Sequence, residues 1–139
     1  MIVSVSEGVA LKLSKYGDYE KIVEFPVWAK HKVHVIFTKC ITDSKKARYK
    51  KLEDLENARA IHIISDDGHS HLIFHIDLTD EGVIAHESWH CIRAMLYDYD
   101  AELDNETVAY HLQYLVERVH KFWNVVKFSI RKSGKDESK

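Results

Sequence analysis

Two imidazoles and a carboxylate stand at helical spacing in His86-Glu87-Ser88-Trp89-His90. On an α-helix, residues four apart lie about 40° apart around the axis and about 6 Å along it. His86 and His90 can therefore direct one ring nitrogen each at a common point, at the roughly 2.0–2.1 Å that zinc prefers. Glu87 is rotated away from that pair and is a poor third ligand, but it can reach a water beside the ion as general base. The chemistry such a trio supports is metal-assisted hydrolysis. The chain holds ten histidines, which raises the chance of a fortuitous match, so the motif must be weighed against the elements that would position it.

Thr79 and Asp80 are suited to cap a helix from about Glu81 to Tyr97 that contains the whole motif. Its apolar residues Val83, Ile84, Ile92, Ala94, Met95 and Leu96 are numerous enough for a buried helix. An acidic connection, Asp98 to Asp104, leads to a second long helix capped by Asp104 or Asn105. There Val108, Leu112, Leu115, Val119, Phe122 and Val126 recur at helical spacing as a core stripe. Upstream, Ala60 to Ser65 and His71 to Asp77 flank the turn-forming Asp66-Asp67-Gly68-His69-Ser70 and read as a β-hairpin. In the second of these strands His71, Ile73, His75 and Asp77 share one face, opposite Leu72, Phe74, Ile76 and Leu78. The polar face is either a half-solvated surface or a wall facing metal or substrate.

Lys32 to Thr38 reads as a further strand, and Thr42-Asp43-Ser44 could cap a charged helix through about Leu55. In the first thirty residues, Lys15 to Tyr19 looks like a turn, and Pro26 sits in an extended entry to the domain. The expected fold is α+β: a small mixed or antiparallel sheet packed on helices. The motif helix is followed by a second long core helix. One domain over residues 1–128 is expected, with a loose polar tail over 129–139.

The formal charge of −2 gives no reason to expect a nucleic-acid partner. Cys40 and Cys91 are too few for a disulfide framework or a Cys-rich zinc site and fit a reduced compartment. No apolar run approaches a membrane span and no signal segment opens the chain, so a cytoplasmic protein without a membrane partner is expected.

A catalytic zinc site needs a third protein ligand. Glu106 is the best placed by sequence, in the first turn of the second helix, where the helix dipole also favours a carboxylate. The alternative is an ordinary first-turn acid. With these residues in view the chain resembles the gluzincins, zinc peptidases with His-Glu-x-x-His on one helix and a ligating glutamate on a later one. Ile84 to Ile92 and Asn105-Glu106-x-x-Ala109 carry the likeness, which covers about residues 60 to 116. The short step from His90 to Glu106, with Ala109 to Leu115, is most similar to small phage-encoded zinc-peptidase-like proteins; the ImmA/IrrE type is a more distant likeness.

The resemblance implies a minimal zincin core binding Zn²⁺ through His86, His90 and Glu106, with water in the fourth position and Glu87 as general base. It implies a peptide or protein substrate held in extended form along His71–Asp77, and the host cytoplasm as location if the protein is phage-encoded. Tyr110 stands where thermolysin-like members carry a supporting aspartate. A phenol there could hydrogen-bond the substrate oxyanion or a ligand, and His75 and His111 are further candidate donors. Two other readings stay open: a zinc-stabilised module that binds a partner without cleaving it, its fourth position closed by His75 or His111, and a metal-free interaction protein.

Overall fold

The computed structural model describes residues 18–25, 31–41, 58–65, 67–98 and 105–137. The fold is α+β, a four-stranded mixed sheet packed on two helices. The strands are β1 (Tyr19–Glu24), β2 (Lys32–Thr38), β3 (Ala60–Ile64) and β4 (Ser70–His75), in the order β1-β2-β4-β3. β1 pairs antiparallel with β2, β2 parallel with β4, and β3 antiparallel with β4. The helices are α1 (Glu81–Asp98) and α2 (Asn105–Glu137).

The β3–β4 hairpin closes where Asp and Gly were expected to turn the chain. Gly68 takes φ +85°, a left-handed conformation that glycine reaches without strain. Asp67 accepts from the Ser65 hydroxyl and from the His69 backbone N–H, which fixes the loop locally. After β4, Thr79 turns the chain back by donating its hydroxyl to the His75 carbonyl at 2.7 Å. Asp80 then caps α1, its Oδ1 accepting the Val83 N–H at 2.9 Å.

Register decides the faces. Tyr19 and Val23 of β1, Val33, Val35 and Phe37 of β2, and Leu72 and Phe74 of β4 turn toward the helices. There they meet Ile84, Cys91, Ile92, Met95 and Leu96 of α1 and Leu115, Val119, Phe122 and Val126 of α2. The opposite face is not simply solvated. Ile36, Ile41 and Ile73 are buried there as a second, smaller cluster with Ala58, Ile61 and Ile63 packed on it. His71 and His75 share this second face with Ile73, so the polar face of β4 looks away from the motif helix.

Three further expectations change. β1 begins at Tyr19, inside the stretch read as a turn, because its sequence disguises it: Lys21 occupies an inward position, and the apolar Ile22 lies between Glu20 and Glu24 on the outer side. Burial, then the Lys121 and Arg118 charges, pulls the Lys21 pKa below its ordinary value. Instead of stopping for a loose tail at Ser129, α2 runs on to Glu137. Ser129 is buried and donates to the Val125 carbonyl at 2.9 Å, and Ile130 packs on the core, so the helix has contacts past the point where polarity suggested its end. β4 is an interior strand with both hydrogen-bonding edges spent. An extended peptide cannot add to His71–Asp77; Asp77 itself lies past the strand end. The helix expected after Thr42, and Pro26 with its entry segment, lie outside the described residues. Among the described residues no helix is long and apolar enough to cross a membrane.

Candidate metal centre

α1 buries one side on the sheet and leaves His86, Trp89, His90 and Arg93 exposed on the other. The cap at Asp80 sets the phase. Counting from it, Ile84, Ser88, Cys91 and Met95 fall inward, and the two motif histidines fall outward together. His86 Nε2 and His90 Nε2 face each other at 3.2 Å, with the rings edge to face and centroids 4.7 Å apart. Two nitrogens bound to one tetrahedral zinc at 2.0–2.1 Å stand about 3.3 Å apart, so the pair already has the spacing of two ligands.

A cleft of about 500 Å³ opens between the start of β3 and the first turns of α1. It is lined by Arg59, Ala60, Asp80, Gly82, Val83, His86 and Glu87. Glu87 therefore shares an open cleft with one of the two imidazoles, as a general base must. The strand beside this cleft is β3, an edge strand among the described residues, and not β4.

The remaining site residues do not join them. Glu106 is exposed in the first turn of α2, as expected for its place in the chain. Among the described residues, however, no three His, Cys, Asp or Glu side chains gather to hold an ion, so Glu106 does not meet the histidine pair. Its neighbour Asn105 lines a separate hollow of about 450 Å³ with Trp89, Arg93, Val108, Ala109 and Leu112. Tyr110 is 64% exposed, and its ring stands edge-on to His111. His111 is buried, bonds the Thr107 carbonyl through Nδ1 at 2.7 Å and packs near Phe25. His75 accepts the Asp77 N–H on Nδ1, on the far face of the sheet. Neither is placed to close a metal sphere at His86 and His90.

Sequence reasoning overlooked a buried polar knot next to the motif. His62 lies on the helix-facing side of β3, and its Nε2 is 3.2 Å from the Ser70 hydroxyl, which His31 Nε2 also meets at 3.1 Å. Cys91 lies beside the same hydroxyl. Burial, then the charges of His90 and His31, pushes the His62 pKa down to about 4, so its ring stays neutral. Burial pushes the Cys91 thiol up to about 12. The signal was present in the hairpin pairing, because His62 opposite Leu72 must fall on the apolar face. Comparison with family models, with curated proteins and with solved structures returned no match.

Proposed function

We propose that this chain is a zinc-dependent hydrolase of peptide bonds, with His86 and His90 as two of its metal ligands, Glu106 as the third and Glu87 as general base. One observation carries the reading: the two exposed Nε2 atoms stand 3.2 Å apart, the separation a shared tetrahedral ion requires. The donor set suits zinc, since imidazole and carboxylate are both ordinary ligands for it. Zinc, when bound, supplies the positive charge that acidifies a water and polarises a carbonyl. Glu87, which lines the cleft, would take the proton of the attacking water and pass it to the leaving amine. Tyr110 is the candidate oxyanion donor. The substrate lies in extended form beside β3. Both cysteines are free, which supports a reducing compartment, the cytoplasm (the host's, if the protein is phage-encoded).

The alternative, a zinc-stabilised module that binds a partner without cleaving it, calls for a closed four-ligand sphere. His75 and His111, its candidate closing ligands, lie elsewhere in the fold. The deciding experiment is metal analysis paired with peptide cleavage. Dialysed protein is expected to hold about one zinc per chain, Glu106→Ala to lose it, and Glu87→Gln to keep it while cleavage falls by at least about 100-fold. Undiminished cleavage by zinc-loaded Glu87→Gln, or no bound zinc in the wild type, sinks the reading.

A further inference from the structure

The distal half of α2 concentrates positive charge on its outward side. From Arg118 to Lys135 the sequence holds six Lys or Arg and no Asp or Glu, in a chain whose net charge is −2. Helical spacing splits this stretch into two sides. Val119, Phe122 and Val126 are buried in the core, while Lys121, Asn124, Phe128, Arg131 and Lys132 are exposed. The exposed set forms one ridge, about 16 Å long from Lys121 to Lys132. Among the described residues no ion pair joins Arg118, Lys121, Lys127, Arg131 or Lys132 to a carboxylate. Glu117, one turn before Lys121, accepts from the Gln113 amide instead.

Two flanking cations rest on rings. The Arg118 guanidinium lies 3.3 Å from the centre of the Tyr114 ring, and Lys127 Nζ lies 3.8 Å from that of Trp123. On β1, Lys21 is close enough to Lys121 and Arg118 for their charges to join burial in lowering its pKa. The helix dipole accounts only for cations in the final turn, because its attraction fades beyond it. Arg118, Lys121 and Lys127 lie well before that turn. The ridge is a set of like charges that the fold itself does not require.

We propose that this ridge docks an acidic segment of a partner protein, one with carboxylates on both sides of an apolar side chain that covers Phe128. Phe128 is 38% exposed amid the cations, so the matching surface is apolar at its centre and negative around it. The favourable stretch is also short. Glu117 precedes it, and Asp136 and Glu137 follow it in the sequence. A nucleic-acid backbone or an anionic membrane extends past both ends and meets those acids, and the rest of the chain holds the acidic excess. A compact acidic segment meets the ridge alone. The surface lies on α2 beyond Glu106 and Tyr110, and the proposal stands whether or not the chain is a hydrolase.

The test is fluorescence anisotropy of the full chain with a labelled helical peptide of about 16 residues carrying glutamates around one leucine. A peptide with glutamine for each glutamate, phosphatidylserine vesicles and duplex DNA are measured beside it. The glutamate peptide is expected to bind tightest, and to weaken about tenfold as salt rises from about 0.05 to 0.3 M. Lys121→Gln with Lys132→Gln should weaken it at least about fivefold and Phe128→Ser at least about threefold, while circular dichroism shows each variant folded. Lys39→Gln with Arg93→Gln, two exposed cations off the ridge, should change it less than about twofold. Equal binding of the glutamine peptide, a loss matched by the off-ridge pair, or tighter binding to vesicles or DNA overturns the proposal. So does self-association of the chain that the ridge variants abolish, since a second copy is then the occupant.

Discussion

His62 shows how much one half-buried imidazole governs at the scale of a residue. Its pKa of about 4 in the fold lies below the ordinary value of 6.5, first because burial disfavours the cation and then because His90 and His31 repel it. Above pH 6.5 the ring is neutral folded or unfolded, and its full contribution to stability is present. As pH falls from 6.5 toward 4 the unfolded chain takes up a proton that the folded chain refuses. Stability then drops by up to about 1.4 kcal/mol per pH unit. Urea midpoints of metal-free protein at pH 7 and pH 5, compared between wild type and His62→Leu, check this. The variant should lose less stability over that interval; equal losses would remove His62 as the cause. The same residue shows what a linear reading misses. His86 and His90 are legible because four residues on one helix is a local relation. The His62–Ser70–His31 knot depends on two strand positions, on which face each turns inward, and on the residue just ahead of β2.

At the scale of elements, the start of α1 is held by a single side chain. Asp80 caps the helix through the Val83 N–H and also lies 3.8 Å from Arg59, but that ion pair is well exposed on both sides and adds little. Asp80→Ala should therefore cost about 1 kcal/mol in chemical denaturation, and Arg59→Ala less than about 0.5 kcal/mol. Equal losses would assign the effect to the ion pair. This cap was legible in the sequence, as were β2, the hairpin and both helix starts, because each rests on local chemistry or a clear period. β1 was not, since Lys21 breaks the alternation at a position that turns inward. The end of α2 was not, since its contacts at Ser129 and Ile130 are tertiary while its composition is polar. The outward face of β4 was half legible: the alternation of His71, Ile73 and His75 held, but the small core of Ile36, Ile41 and Ile73 behind it comes from distant segments.

At the scale of the whole molecule, the two cysteines report on the integrity of the fold. Cys91 is buried between sheet and helices with its thiol pushed up to about 12, whereas Cys40 is exposed. Native protein should take one thiol label at Cys40, and Cys91 should label only at the rate of global or local opening. Rapid labelling of both would show that α1 does not stay docked. The candidate site is less complete than the fold, and the reason is geometric. His86 and His90 sit on one rigid helix, while Glu106 belongs to another that is fixed to the sheet further along. That fixing point is Tyr114, whose hydroxyl donates to the Glu24 carbonyl at 2.8 Å and whose ring lies 5.0 Å from Phe25. α2 is thus a lever with unequal arms, about 12 Å from Tyr114 back to Glu106 and about 35 Å onward to Glu137. A tilt of about 10° that carried Glu106 about 2 Å would also have to shift Phe122, Val126 and Ile130, packed in the core beyond Tyr114, by up to about 4 Å. An ion that drew Glu106 toward the histidines would therefore be felt in the core packing of the distal half of the helix.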